Sequence, residues 1–355
     1  MKISYCTTCM NRLEHLKITL KENLKDLDSY RNIEFLILDY GSREPIYEHI
    51  KSVFPRFLDS GNIKLFRVEA TQYNMSHSRN VAFKLATGDI LCNIDADNYV
   101  GYGFARYIRE VFEKEPNVFL TCQGNPNHPG DVRGRLCVKR RDFFSIRGYD
   151  ERMIFYGFDD YDIVNRLTNY GLRQKIITDD RFVNFIRHNN RLRVSNFRQS
   201  KIKRLLVLYH SPFKSEMFFL FDGGSLYKGT VIINNHLEEF CSTIDLKSKG
   251  NYKYILKEDQ WELWSWNYEG DDVAFHNGEV RTILEKRSKF EYRLIDQFGN
   301  IFELFQVTDG QYIESALMLL HETYNRNVYL QNKFNNVTTV NNDYFGDAEI
   351  TFVSK

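Results

Sequence analysis

The chain lacks both glycine-rich loops that most readily mark a phosphate site. No Gly-x-Gly-x-x-Gly follows its first strand-like segment and no Gly-Lys-Ser/Thr loop occurs, so dinucleotide-binding and P-loop readings lose their main support. Any nucleotide must be held differently. No apolar run approaches the ~20 residues that span a bilayer. The amino terminus enters a strand-like segment directly, without the basic region and apolar core of a secretory signal, and the expectation is a chain made and kept in the cytoplasm. Net charge is only +1, which names neither nucleic acid nor an acidic partner. The six cysteines are scattered; Cys6 and Cys9 form the sole close pair, without the partners a zinc or redox site requires, and all read as reduced thiols.

What is present is enough for about two domains of ~100 to 200 residues each: 355 residues, 43% hydrophobic and 15% aromatic. Over the first two hundred residues, buried-strand runs alternate with helical patterns. Lys2 to Thr8, Ile33 to Leu38, Ile63 to Val68 and Asp89 to Ile94 read as strands. Between them lie helical faces carrying Leu13, Leu16, Leu20 and Leu24, then Ile46, Ile50, Val53 and Phe54, then Val81 and Leu85, with Gly88 as the stop of the third. Phe104 to Phe112 reads as a helix, with strands at Val118 to Cys122 and Arg173 to Ile177. Successive βα units of this spacing predict an α/β domain with a mainly parallel sheet and helices on both faces. The Gly/Pro/Asn stretch Gly124 to Gly134 is a candidate lid.

The apolar run Ile90 to Ile94 ends at Asp95-Ala96-Asp97, at the carboxyl edge where open α/β sheets bind ligands. As strand residues the two aspartates would share a face and suit a hard divalent cation; a turn with two solvated carboxylates is the ordinary alternative. Thr8, Arg12, Asp39 and Arg79 fall at neighbouring strand and helix ends, where a carboxylate can accept from a base imide and arginines can pair with phosphate. Equally, Asp39 suits a turn and the arginines suit solvated helix surfaces. A second acidic cluster lies in Tyr156-Gly157-Phe158-Asp159-Asp160-Tyr161-Asp162. There Asp159 or Asp160 is expected to cap a helix, with Asp162 paired to Arg166 and Gly171 as its stop. A carboxylate so held can also take a proton from a bound hydroxyl. The segment from Arg187 to Arg204 is densely basic and could face a diphosphate, an anionic membrane surface or only solvent.

Together these pieces resemble inverting glycosyltransferases of the GT-A fold, the broad family 2 type, and more narrowly the beta-1,4-galactosyltransferase type. Asn11-Arg12-Leu13-Glu14-His15-Leu16 resembles that family's Asn-Arg-x-x-His-Leu. Asp95-Ala96-Asp97 stands where its Asp-x-Asp occurs. Tyr156 to Leu167 resembles its Trp-Gly-Gly-Glu-Asp-Asp-Asp-Ile-Phe-Asn-Arg-Leu, and Ile186-Arg187-His188 its late Ile-Arg-His. The resemblance implies a GT-A domain over 1–204. It implies Mn²⁺ at Asp97 and His188, with Mg²⁺ as the alternative, and Asp95 on the donor's ribose or sugar. Thr8, Arg12, Asp39 and Arg79 would cradle uridine diphosphate, with Asp160 as general base and Tyr156, Phe158 and Asp159 at the acceptor. Tyr156 replaces a Trp, Phe158 a Gly, Asp159 a Glu and Tyr161 an Asp, which leaves acceptor identity open.

The expected activity is metal-dependent transfer of a hexose or N-acetylhexosamine from a UDP-sugar to a glycan or lipid-linked glycan. The setting would be surface polysaccharide biosynthesis, with residues 187–204 touching the inner membrane face. Two other readings stay open: a glycan-binding or scaffold protein on a transferase fold, and a nucleotidyltransferase, separable by turnover and by release of UDP or pyrophosphate. Residues 205–355 read as a β-rich domain ending in a helix at Tyr312 to Leu330, with a hairpin at Gln297-Phe298-Gly299-Asn300. Trp261, Trp264 and Trp266 there read as core rather than as a sugar groove.

Overall fold

A computed structural model describes residues 1–122, 132–187, 196, 202–211, 214–233, 254–256 and 261–352. The chain forms two compact units, Met1–Asn189 with Val328–Lys355, and Asn190–Asn327. The expected division at 204/205 therefore shifts, because the end of the chain returns to the first unit.

In the first unit the elements run β1 (Ile3–Cys9), α1 (Leu13–Asn23), β2 (Ile33–Tyr40), α2 (Ile46–Val53), α3 (Pro55–Asp59), β3 (Ile63–Val68), α4 (Met75–Leu85) and β4 (Ile90–Asn93). Then follow β5 (Asn98–Tyr99), α5 (Phe104–Lys114), β6 (Val118–Cys122), β7 (Leu136–Lys139), α6 (Arg140–Ser145), α7 (Asp159–Asn169), β8 (Arg173–Ile177) and β9 (Asn184–Phe185). β1 and β2 are buried almost throughout, because helices cover both faces of a parallel sheet. One face packs Tyr5, Phe35 and Ile37 under α1 and α5; the other packs Leu36, Leu38 and Leu91 under α4 and α7. This is the expected α/β architecture.

β7 and a last strand, β19 (Ile350–Phe352), were not legible in the sequence. β7 runs antiparallel between β4 and β6, and β19 pairs antiparallel with β3, giving the order β19-β3-β2-β1-β4-β7-β6-β8. Three local expectations also change. The third helix ends at Leu85, and Gly88 serves close packing instead: a Cβ there would lie 2.5 Å from Ser4 Oγ. α7 starts at Asp159 with no side-chain cap, Phe158 holding the N-cap position in the left-handed region at φ 65°. Finally, β4 stops at Asn93, and Asp95 to Asp97 lie in a turn closed by the Asn98 N–H on the Asp95 carbonyl at 2.9 Å. The two aspartates are thus not neighbours on one strand face. Gly171, as expected, ends α7 at φ 97°.

In the second unit the strands are β10 (Ile202–Ser211), β11 (Lys214–Phe221), β12 (Ser225–Ile233), β13 (Tyr254–Leu256), β14 (Glu262–Glu269), β15 (Asp272–Asn277), β16 (Val280–Lys286), β17 (Glu291–Ile295) and β18 (Ile301–Val307). All but β13 close an antiparallel barrel, β12 pairing back to β11. Closure removes the exposed edges that a sheet this size would otherwise carry. Trp266 is buried in the barrel core with Trp264 packed against it, and Trp261 Nε1 donates to Thr323 Oγ1 at 2.7 Å. The helix α8 (Gly310–Phe334) starts in this unit and ends in the first.

The start of the sheet rests on a buried carboxylate. Glu34 on β2 accepts from Ser4 Oγ and Thr87 N and pairs with Lys2 and Lys64 at 2.7 and 2.8 Å. Burial alone would raise its pKa, but these donors together hold it well below the ordinary carboxylate value. A depressed folded-state pKa contributes stability that is complete above the unfolded value, about 4.3, and is lost as pH falls below it. Glu34→Gln should therefore destabilise the first unit by about 1–3 kcal/mol near neutrality. Denaturant melts at stepped pH should show wild type and variant converging below about pH 4; a gap of constant size would rule out the charge as its source.

Candidate active site

The carboxyl ends of β1, β2 and β3 bring three expected residues together. Register places Cys9 beside Asp39, and Asp39 beside Arg67. Asp39 is buried, its Oδ1 accepting from the Ser42 N–H at 2.8 Å and its Oδ2 from Arg67 at 2.6 Å. The Thr8 hydroxyl shares a hydrogen bond with Tyr73 at 2.8 Å. Arg12 opens α1; burial lowers its pKa and the charge of Asp97 raises it, so the first motif and the Asp-x-Asp turn meet electrostatically. Arg67 and Tyr73 were missed in the sequence. A charged residue inside an apolar strand, as Arg67 is in β3, was the available signal.

Arg79 faces both acidic motifs, and its charge also reaches Tyr73, the partner of Thr8. Its side chain, 3% exposed, lies over the Tyr149 ring at 5.3 Å. The guanidinium donates to Asp159, to Asp160 Oδ1 at 2.9 Å and to Asp95 Oδ1 at 3.2 Å. Both acidic motifs, far apart in the chain, thus converge on one cation. Burial would lower the pKa of Arg79, but the charges of Asp160, Asp159 and Asp95 raise it well above its ordinary value. Asp159 is itself buried, and burial lifts its pKa against the opposing pull of Arg79. Asp160 is the more open of the pair, its side chain 30% exposed. Gly134 backs directly onto this centre: a Cβ there would lie 2.6 Å from both Arg79 Nη2 and Asp95 Oδ2. Asn93 ties the same corner together, donating to Asp95 at 2.9 Å and to the Gly134 carbonyl at 2.8 Å.

The Asp-x-Asp turn is held from the other side by β5 pairing with β9. The Ile186 N–H donates to the Asp97 carbonyl at 2.8 Å, so the chain leading into His188 runs beside Asp97. His188 itself, most of the basic segment 187–204, and most of the expected lid lie outside the described residues. Buried Arg135 joins β5 to the turn that precedes β9, donating to the Tyr99 carbonyl at 2.9 Å and to the Phe182 carbonyl. Among the described residues no three His, Cys, Asp or Glu side chains form a metal cage. Three carboxylates face one guanidinium at Arg79, and carboxylate oxygens are the donor type that a hard divalent cation takes.

α7 is fixed from beneath by the C-terminal helix. Asn332 on α8 donates to Asp162 Oδ1 and to Asp150 Oδ2, both at 2.8 Å, and accepts from Arg152 at 2.7 Å. Asp162 also forms the expected pair with Arg166, at 2.7 Å, and the pair is fully buried. Tyr156 and Phe158 are half-buried on the loop that enters α7.

Residues 4–168 match the model of glycosyl transferase family 2, and residues 129–210 match that of the N-terminal domain of galactosyltransferase. The first unit is therefore similar, over residues 4–168, to glycosyl transferase family 2. Among solved structures, the mannosyltransferase PcManGT from Pyrobaculum calidifontis, in complex with GDP-Man and Mn²⁺, is 16% identical with a TM-score of 0.46 over 54% of this chain and 60% of its own. S. aureus TarS 1–349 in complex with UDP is 14% identical with a TM-score of 0.44, over 51% and 59%. The catalytic domain of Drosophila beta1,4-galactosyltransferase 7 in complex with xylobiose is 17% identical with a TM-score of 0.37, over 54% and 72%. The chain thus covers about 60% of the length of the first two. No curated protein sequence matches it.

Removing a buried cation that serves several carboxylates leaves their charges uncompensated. Arg79→Met should cost about 3–5 kcal/mol of unfolding free energy, and adding Asp159→Asn in that background should recover part of the loss. Urea titrations of the two single variants and the double variant measure the coupling. Simple addition of the two losses would mean that Arg79 and Asp159 do not depend on one another.

Proposed function

We propose that the chain is a divalent-cation-dependent, inverting glycosyltransferase that moves a hexose or N-acetylhexosamine from a UDP-sugar to a glycan acceptor. The observation that carries this reading is the convergence of Asp95, Asp159 and Asp160 on Arg79, inside a matched family 2 domain. Of the two aspartates at the start of α7, Asp160 is the one with access to solvent, and it accepts from Arg79 at 2.9 Å. It would take the proton of an acceptor hydroxyl while that oxygen forms its bond to the anomeric carbon. The bond from that carbon to the diphosphate breaks on the opposite face, and UDP departs with the electron pair. Asp159, buried against Arg79, acts by holding the helix start in place. Asp97 and His188 would hold the cation, with Thr8, Arg12 and Asp39 around the nucleotide and Asp95 towards the sugar. A bound Mn²⁺ or Mg²⁺ supplies neutralisation of charge on the diphosphate.

No helix among the described residues is long and apolar enough to cross a membrane. The basic composition of residues 187–204 supports a peripheral encounter with a lipid-linked surface glycan at the cytoplasmic face. Sedimentation with phosphatidylserine vesicles should show binding that weakens with salt; absence of binding at low salt rejects the membrane assignment.

Asp160→Asn should lower transfer by about 10²–10⁴-fold while UDP still stabilises the protein thermally. Asp97→Ala should instead abolish the Mn²⁺-dependent part of that stabilisation. A panel of UDP-sugars, with and without Mn²⁺, reads both. Normal turnover by Asp160→Asn removes the base assignment, and stabilisation by UDP that ignores Mn²⁺ removes the cation.

A further inference from the structure

We infer that the surface beside Asp160 is a docking platform for an acidic glycan, made by the rings of Phe158, Tyr161 and Tyr329 between the cations Arg133 and Lys333. It rests on the glycosyltransferase reading and specifies the acceptor for that same site. The three rings form a triangle, with centroids 5.5 Å apart for Phe158 and Tyr161, 5.8 Å for Phe158 and Tyr329, and 6.4 Å for Tyr161 and Tyr329. They are not sealed in a core: Tyr161 is 49% exposed, and Phe158 and Tyr329 are only half-buried. Flat, partly exposed rings suit the apolar C–H face of a pyranose, whose hydroxyl rim stays in water.

Phe158 and Tyr161 flank Asp159 and Asp160 in the chain, so the rings stand at the same helix start that carries the proposed base. Phe158 adds a conformational argument. Its φ of 65° is a left-handed setting that a bulky side chain adopts at a steric cost and that glycine adopts freely. The ring is present despite that cost, and it is turned onto the other two.

Charge then narrows the ligand. Arg133 donates to the Tyr161 hydroxyl at 2.7 Å, and the Lys333 ammonium lies 5.6 Å from the Tyr329 centroid. Both are exposed, and among the described residues neither forms an ion pair. Two cations without carboxylate partners, bracketing an aromatic patch, favour a sugar bearing a carboxylate or a phosphate over a neutral one.

The test uses the full chain on an array of immobilised glycans in neutral, carboxylate-bearing and phosphate-bearing groups. Retention should be about tenfold stronger on one of the acidic groups, should fall with salt, and the favoured group tells carboxylate from phosphate. Arg133→Gln combined with Lys333→Gln changes only exposed side chains and should erase the preference. Tyr161→Ala and Tyr329→Ala should each reduce retention on all groups, with thermal melts reporting that the variants are folded. Preference for neutral glycans, no retention, or a preference that survives the charge substitutions overturns the platform. Donor binding is read separately, as thermal stabilisation of the wild type by UDP and Mn²⁺. Donor binding without acidic preference rejects the platform alone, whereas acidic preference without donor binding rejects the glycosyltransferase reading and leaves a glycan-binding surface.

Discussion

The buried guanidinium of Arg79 is the constraint on which the active region depends. A charge so enclosed is tolerated only with partners of opposite sign in good geometry, and here three partners come from two places: Asp95 after β4, and Asp159 and Asp160 at the start of α7. One side chain therefore sets the relative position of the sheet edge and the helix proposed to supply the base. Three carboxylates from separate motifs thus converge on one buried guanidinium.

The sheet was legible because strands covered on both faces read as near-continuous apolar runs, as β2 does around Glu34 and β6 around Thr121. The limits of that signal are equally physical. β7 and β19 have four and three residues, too short for any period to show. The run Ile90 to Ile94 overstates its strand by one residue, because apolar content reports burial and not hydrogen bonding; Ile94 is buried but already outside β4. That residue decides whether Asp95 and Asp97 share a face or diverge.

The site was legible as a set of motifs and not as a set of contacts. Asp160, Asp95 and Arg79 could each be named from spacing and resemblance, yet nothing local says that an arginine on α4 is buried, since its partners lie far along the chain. Arg135 was invisible for the same reason: its acceptors are backbone carbonyls of Tyr99 and Phe182, which carry no sequence signature. Asn332 is the extreme case, a common surface residue type on a long helix that serves two buried carboxylates.

The return of the chain end has an effect on timing. The first unit is discontinuous, and Asp150 and Asp162 receive their shared amide only from residue 332. During synthesis from the amino end, the nascent domain would have its sheet strands β1 to β8 available while two acids beneath α7 still lack that donor. The helix start carrying Asp160 would gain its full support only after the barrel has been translated. A nascent chain thus holds its proposed proton acceptor in an unfinished setting until residue 332 has been added.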